Sequence, residues 1–300
     1  MKNIVKRLSC ILLFIVSIYL IGGCGVSDKT PATTNNDANE NKEELPSEID
    51  GNYLQIYDCY DYDGYPTYEE AFADRKLVKN LKDFNEYLHD EYSYLELSFQ
   101  PAQKIGYYDG DIDFVQDNDE TMLNQSVELD GKQEYVTTLK TVMIDYKISQ
   151  ILDKYIDSGR GFENGDYQLP DFEIPVILGS KYADKYNIND ELELNYLFTK
   201  VVFKVVGFFE PSTKLSILEQ DIILDNYICM PAFETNIKAN YSNETFLQLY
   251  NIQKNKGMVL IQDSSSEEEV EKYRKQLTES AKEYGLCFDF ATLQTDILIE

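Results

Sequence analysis

Apolar and polar residues alternate from Tyr53 to Tyr57, the period of a half-buried strand. Glu69 to His89 then places Leu77, Leu81, Phe84 and Leu88 at helical spacing, and Tyr94 to Phe99 alternates again. These residues predict strand, helix, strand. Near the other end, "GMVLIQ" from Gly257 reads as a strand, and Ser266 with Glu269 three positions later forms a capping box. That box opens a helix with Val270, Tyr273, Leu277, Ala281 and Tyr284 on one stripe. Gly285 stands where a C-terminal cap belongs, and Leu286 to Phe290 reads as the returning strand. Two βαβ-like units, in 51–100 and 257–300, predict an α+β fold with a split, ferredoxin-like sandwich built from the ends of the body.

The segment between them, 101–256, is richer in short strands and turns. Ile174 to Leu178, Leu192 to Leu197, Val201 to Phe209 and Asp221 to Leu224 are its clearest strands. "NIND" reads as a turn between a short helix and the second of these, and Pro231 ends the run "LDNYICMP". This insert is expected to be mostly β.

The N-terminus changes the setting of the fold. Lys2, Lys6 and Arg7 precede an apolar run, and "IGGC" closes it at Cys24, the pattern of a lipoprotein signal peptide over 1–23 with Cys24 as the lipidation site. The sixteen residues from Leu8 to Gly23 are short of the roughly 20 that a membrane span needs. Residues 24–50 are rich in Asn, Thr, Glu and Asp and poor in anything to bury, which predicts a flexible tether. The body is then 51–300, on the extracytoplasmic face of a bacterial cell membrane and held there by lipid. The chain carries 27 basic and 54 acidic residues, a net −27; losing the three basic residues of the signal makes the mature chain −30. A surface of that sign repels nucleic acid and anionic lipid and favours cationic peptides or metal ions. Cys59, Cys229 and Cys287 remain in the body, too scattered for a zinc site or a disulfide framework; one pair plus a free thiol is open.

"DSGRGFENGD", from Asp157, looks at first like a phosphate loop. It lacks the Lys-Ser/Thr of a P-loop, and Asn164 stands where a third glycine of a dinucleotide loop would be. The order "SGRGF", "IPVILGSKYADKYNINDELEL", "VVFKVVGFFEPST", "LDNYICMP" instead resembles the extracytoplasmic core domain of MacB-like and FtsX-like ABC transporter permeases. The resemblance runs from about Leu77 to Phe233 and more weakly over the rest. It implies that the terminal units are the porter-like part and that Gly159, Arg160, Gly161, Gly179, Asp190 and Gly207 are structural turn residues. Gly159 and Gly161 are expected to supply positive-φ backbone, Gly179 and Gly207 to end strands, and Arg160 to bridge its turn to a neighbouring strand. Family permeases return to the membrane after this domain, whereas this sequence reaches "DILIE" with no second apolar run and holds no nucleotide motif.

Candidate chemistry is sparse. His89, the only histidine, sits in "LHDEY" at a helix end, where a surface position is expected. "CYDYDGYPTYEE" matches a calcium loop at Asp61, Asp63, Gly64 and Glu70, but Cys59 takes the first ligand position and Pro66 that of a β-branched residue, so a solvated acidic turn is expected instead. No cofactor and no enzymatic activity are expected. The leading expectation is a noncatalytic lipoprotein or membrane-anchored domain working with an ABC transporter permease or ATPase, of the peptide, lipoprotein or antimicrobial export type. The alternatives are an independent acidic lipoprotein that binds a cationic peptide or metal ion, and a truncated permease.

Overall fold

The computed structural model describes residues 52–129, 131–169, 172–217, 220–235, 243–261 and 266–292. The expected signal peptide 1–23, the expected lipidation site Cys24, the expected tether 24–50 and the "DILIE" end lie outside the described residues.

In chain order the strands are β1 Asn52–Asp58, β2 Tyr94–Leu95, β3 Leu97–Phe99, β4 Ala102–Ile105, β5 Gln125–Leu129, β6 Lys132–Leu139, β7 Thr141–Ile144, β8 Ile156–Gly159 and β9 Gln168–Leu169. They continue as β10 Glu173–Leu178, β11 Glu191–Tyr196, β12 Thr199–Phe209, β13 Lys214–Ile217, β14 Gln220–Ile223, β15 Ile228–Pro231, β16 Glu234–Thr235, β17 Met258–Ile261 and β18 Phe288–Thr292. The helices are α1 Tyr68–Ala73, α2 Leu77–Glu91, α3 Tyr146–Leu152, α4 Glu244–Lys254 and α5 Glu267–Glu283.

The molecule is α+β. Its four-stranded sheet runs β18-β1-β17-β2 with every neighbour antiparallel, so the outermost pieces of the body interleave. α2 and α5 cover this sheet, burying Leu77, Leu81, Phe84 and Leu88 from one and Leu277 and Ala281 from the other. Phe84 stacks on Phe288 of β18 with ring centroids 5.9 Å apart. Tyr273, expected on the buried stripe of α5, is 39% exposed at its margin. The helix starts at the predicted capping box between Ser266 and Glu269, and Gly285 follows its end at φ +72.

The larger sheet is mixed and curls through β3-β7-β15-β10-β12-β11-β4-β6-β5, with β8 pairing β12. Its parallel pairs are β10 with β12 and β7 with β15. β7 and β15 are buried at every position, as expected for strands covered on both faces.

Two details depart from the sequence expectation. Glu69 to His89 is not one helix: Asp74 leaves the helical region with ψ 111 and caps α1 before α2 begins. The run Tyr94 to Phe99 is two strands, β2 in the small sheet and β3 in the large one, because the chain changes layers at Glu96. The strand-rich segment 101–256 also holds the helix α4, which the residue pattern does not announce, and every residue from Phe246 to Lys254 is buried.

Candidate functional site

The Gly-Arg-Gly segment is built around a close crossing of backbones. β8 meets β12 with Gly159 opposite Gly207, and the Arg160 N–H donates to Val206 O at 2.9 Å. A Cβ on Gly207 would stand 2.3 Å from Arg160 O, and one on Gly159 would stand 2.3 Å from Val206 O. Gly159 also has φ +79, a conformation in which an L side chain is strained. Gly161, expected at positive φ, is absent from that region; it is small because Asp153 Oδ1 occupies the space of its Cβ. Gly207 does not end its strand. It lies inside β12, where the crossing demands it.

Arg160 faces its own loop rather than a neighbouring strand. Nη1 donates to Gly161 O at 2.9 Å, and Nη1 and Nη2 form a two-pronged contact with Asp166 at 2.5 and 3.1 Å. Asp166 also accepts the Glu163 N–H at 2.8 Å. The side chain of Arg160 is 38% exposed, so solvent weakens the pair, and Arg160→Ala is expected to lower unfolding stability by about 1–2 kcal/mol in urea titration.

The other turn residues of the motif are equally committed. A Cβ on Gly179 would lie 2.0 Å from Leu224 O. Asp190 Oδ2 accepts the Asn187 N–H at 2.8 Å, and Asn189 between them takes φ 72, a region that Asn tolerates.

The acidic loop after β1 is held by its own residues. Asp61 Oδ1 accepts the Tyr68 N–H at 3.0 Å, and Glu70 Oε2 accepts the Thr67 N–H at 2.9 Å as half of the capping box of α1. Asp63 is exposed. Glu70 is therefore committed to a helix end, and among the described residues no group of three His, Cys, Asp or Glu is placed to hold a metal.

A buried charged cluster sits where the chain passes between the two layers. Glu96, alone between β2 and β3, and Lys254, at the end of α4, have side chains 5% exposed and lie 3.6 Å apart. His89 Nε2 is 3.0 Å from Glu96 Oε1, Lys254 also pairs with Glu234, and the Glu96 N–H donates to Asp145 Oδ2 at 3.2 Å. Next to it Lys256 pairs with Asp58, both 4% exposed. Tyr94 Oη locks the crossing by donating to Lys254 O at 2.9 Å and accepting the Gly257 N–H at 3.2 Å. His89 is exposed at the surface, as expected, and its ring is tied there to a buried carboxylate. Residue pattern does not disclose this cluster, because a Glu inside an alternating strand and two lysines before a glycine look solvated. Its one local mark is "YLELS", where Glu96 breaks an otherwise apolar crossing.

Burial pushes the Glu96 carboxyl up, and the Lys254 ammonium and the His89 hydrogen bond outweigh it, holding the group below its ordinary value. A carboxyl depressed in the folded state stabilises fully above its unfolded pKa and loses that contribution as pH falls through the folded value. Glu96→Gln is expected to lose about 2 kcal/mol at pH 7, with the deficit shrinking below about pH 4. Guanidinium titrations at the two pH values measure it. Asp145 acts in the opposite sense, since burial raises its pKa, so the comparison must be made as a difference from wild type.

Among the described residues no helix is long and apolar enough to cross a membrane. No family model matches the chain, and no curated protein matches it. Among solved structures it is similar to the extracellular domain of the noncanonic ABC-type transporter YknZ from Gram-positive bacteria, with 10% identity and a TM-score of 0.35 over 80% of this chain and 100% of that one. It is also similar to the periplasmic region of MacB from Actinobacillus actinomycetemcomitans, with 16% identity and a TM-score of 0.35 over 83% of this chain and 92% of that one.

Proposed function

We propose that the chain is a noncatalytic extracytoplasmic module that works by docking on an ABC transporter. The reading rests on one observation: within the segments that resemble permease core domains, Gly159, Gly179 and Gly207 each stand where a Cβ would meet neighbouring main chain. Gly159, Arg160, Gly161, Gly179, Asp190 and Gly207 are then architecture, and recognition belongs to the surface they support.

In this reading 1–23 is a signal peptide, Cys24 carries lipid, 24–50 is the tether, and 51–300 is the core domain with its porter-like part in 51–100 and 257–300 and its β-rich insert in 101–256. A lipid and a tether transmit little force, so the module acts by being concentrated beside its partner, where weak contacts suffice. The acidic composition favours a second reading, capture of a cationic peptide or metal ion by an independent lipoprotein.

Crosslinking of the full chain in its own cells is expected to recover an ABC permease or ATPase, and labelled palmitate is expected to enter wild type but not Cys24→Ala. Salt-sensitive retention of a cationic peptide with no transporter crosslink would transfer the function to the second reading. Binding of a neutral small solute, with neither of those results, would overturn both.

A further inference from the structure

Cys59 and Cys287 face each other at the point where β1 ends and the chain enters β18. The antiparallel register pairs Asp58 with Phe288, and it continues one step further, with the Cys59 N–H donating to Cys287 O at 3.0 Å. Residues so paired across an antiparallel ladder have Cα atoms about 5.5 Å apart, within the roughly 4.4–6.8 Å that a disulfide spans. The side chains lie on one face, because residues directly opposite each other on an antiparallel pair project to the same side of the sheet. Both belong to the cluster beneath the four-stranded sheet, whereas Cys229 is buried in the second cluster, among Val142, Ile177 and Leu224. The pairing that spacing leaves open is resolved by the fold.

We propose that Cys59 and Cys287 are a disulfide-forming pair that covalently closes the β1–β18 edge of the small sheet. The oxidant is a disulfide, either a small-molecule one or that of a thiol–disulfide oxidoreductase. Cys287, at 9% exposure the more accessible of the two, attacks one sulfur of the oxidant as a thiolate and expels the first thiol. Cys59 then attacks the Cys287 sulfur of the mixed disulfide and expels the second thiol. Two cysteine thiols become one disulfide, the oxidant disulfide becomes two thiols, and the two cysteine protons end on those thiols. The bond closes a loop that contains nearly the whole body and so restricts the unfolded chain strongly. The proposal stands on the placement of the two thiols and not on the transporter reading.

The test is to incubate the full chain with oxidised glutathione, alkylate it under denaturing conditions, digest it and map the peptides by mass spectrometry. The expected result is a linked Cys59–Cys287 peptide with Cys229 alkylated, and a Tm on the order of 10 °C above that of the dithiothreitol-treated protein. Cys59→Ser should abolish both the linked peptide and the Tm difference; Cys59→Ala serves if the serine is poorly accommodated. Recovery of both cysteines alkylated after glutathione treatment of the wild type, or linkage of either to Cys229, would overturn the proposal whether or not the variants fold.

Discussion

Gly207→Val is expected to abolish folding or to lower stability by on the order of 4 kcal/mol or more. The reason is the obstacle that the new side chain meets. The nearest atoms to a Cβ at this position are the carbonyl oxygen, carbon and nitrogen of Arg160, all main-chain, and a side-chain rotation cannot clear them. Relief requires β8 to move off β12, which breaks the pairing of Gly207 with Gly159 and of Phe208 with Ser158. Phe209, buried in the core beneath, would be dragged with it. Gly165→Ala is the matched control: nothing lies within 4 Å of its Cβ position and its φ is not positive, so it is expected to fall within about 0.5 kcal/mol of wild type. Equilibrium denaturation of the two variants decides the matter, and equal stabilities would mean that the crossing is loose.

Lys256→Met is the other change expected to be severe, with a cost of about 3–5 kcal/mol. It leaves the Asp58 carboxylate, 4% exposed, facing the interior without its cation. Tyr68 Oη still donates to Asp58, but one neutral hydrogen bond does not replace an ammonium in a dry site. The double variant Asp58→Asn with Lys256→Met removes both charges and is expected to recover most of the loss, because burying a neutral pair avoids the desolvation of two ions. Additive effects in that cycle would show that the two side chains do not interact.

The parts of the fold legible in sequence are those whose signal is local. The strand–helix–strand pattern at each end, the capping box at Ser266, the αL positions at Asn189 and Gly285 and the strands β10, β11 and β12 are each dictated by residues within a few positions of one another. The change of layers at Glu96 is not legible, since an alternating run carries no mark of which sheet each half joins. α4 is hidden for a related reason: a helix enclosed on all sides needs no apolar stripe, and "ETFLQLYNIQK" has little period to read. At the Gly-Arg-Gly turn, the residue types point to architecture, but the partner of Arg160 depends on a loop closing back to Asp166. The facing of Cys59 and Cys287 is longer-range still and exists only once the outer strands have paired.

That pairing bears on the order in which the molecule can assemble. The four-stranded sheet joins Asn52 to Ile261 and Leu54 to Thr292, contacts between opposite ends of the body. Made first, they would close a very long loop against its full entropy. The two passages between layers lie side by side, with Leu95 opposite Met258 and the Glu96–Lys254 pair beside them. Once the large sheet has formed, those passages are already neighbours, and closing the small sheet becomes an almost local event. Loop entropy therefore favours earlier formation of the layer that interrupts the small sheet in the chain.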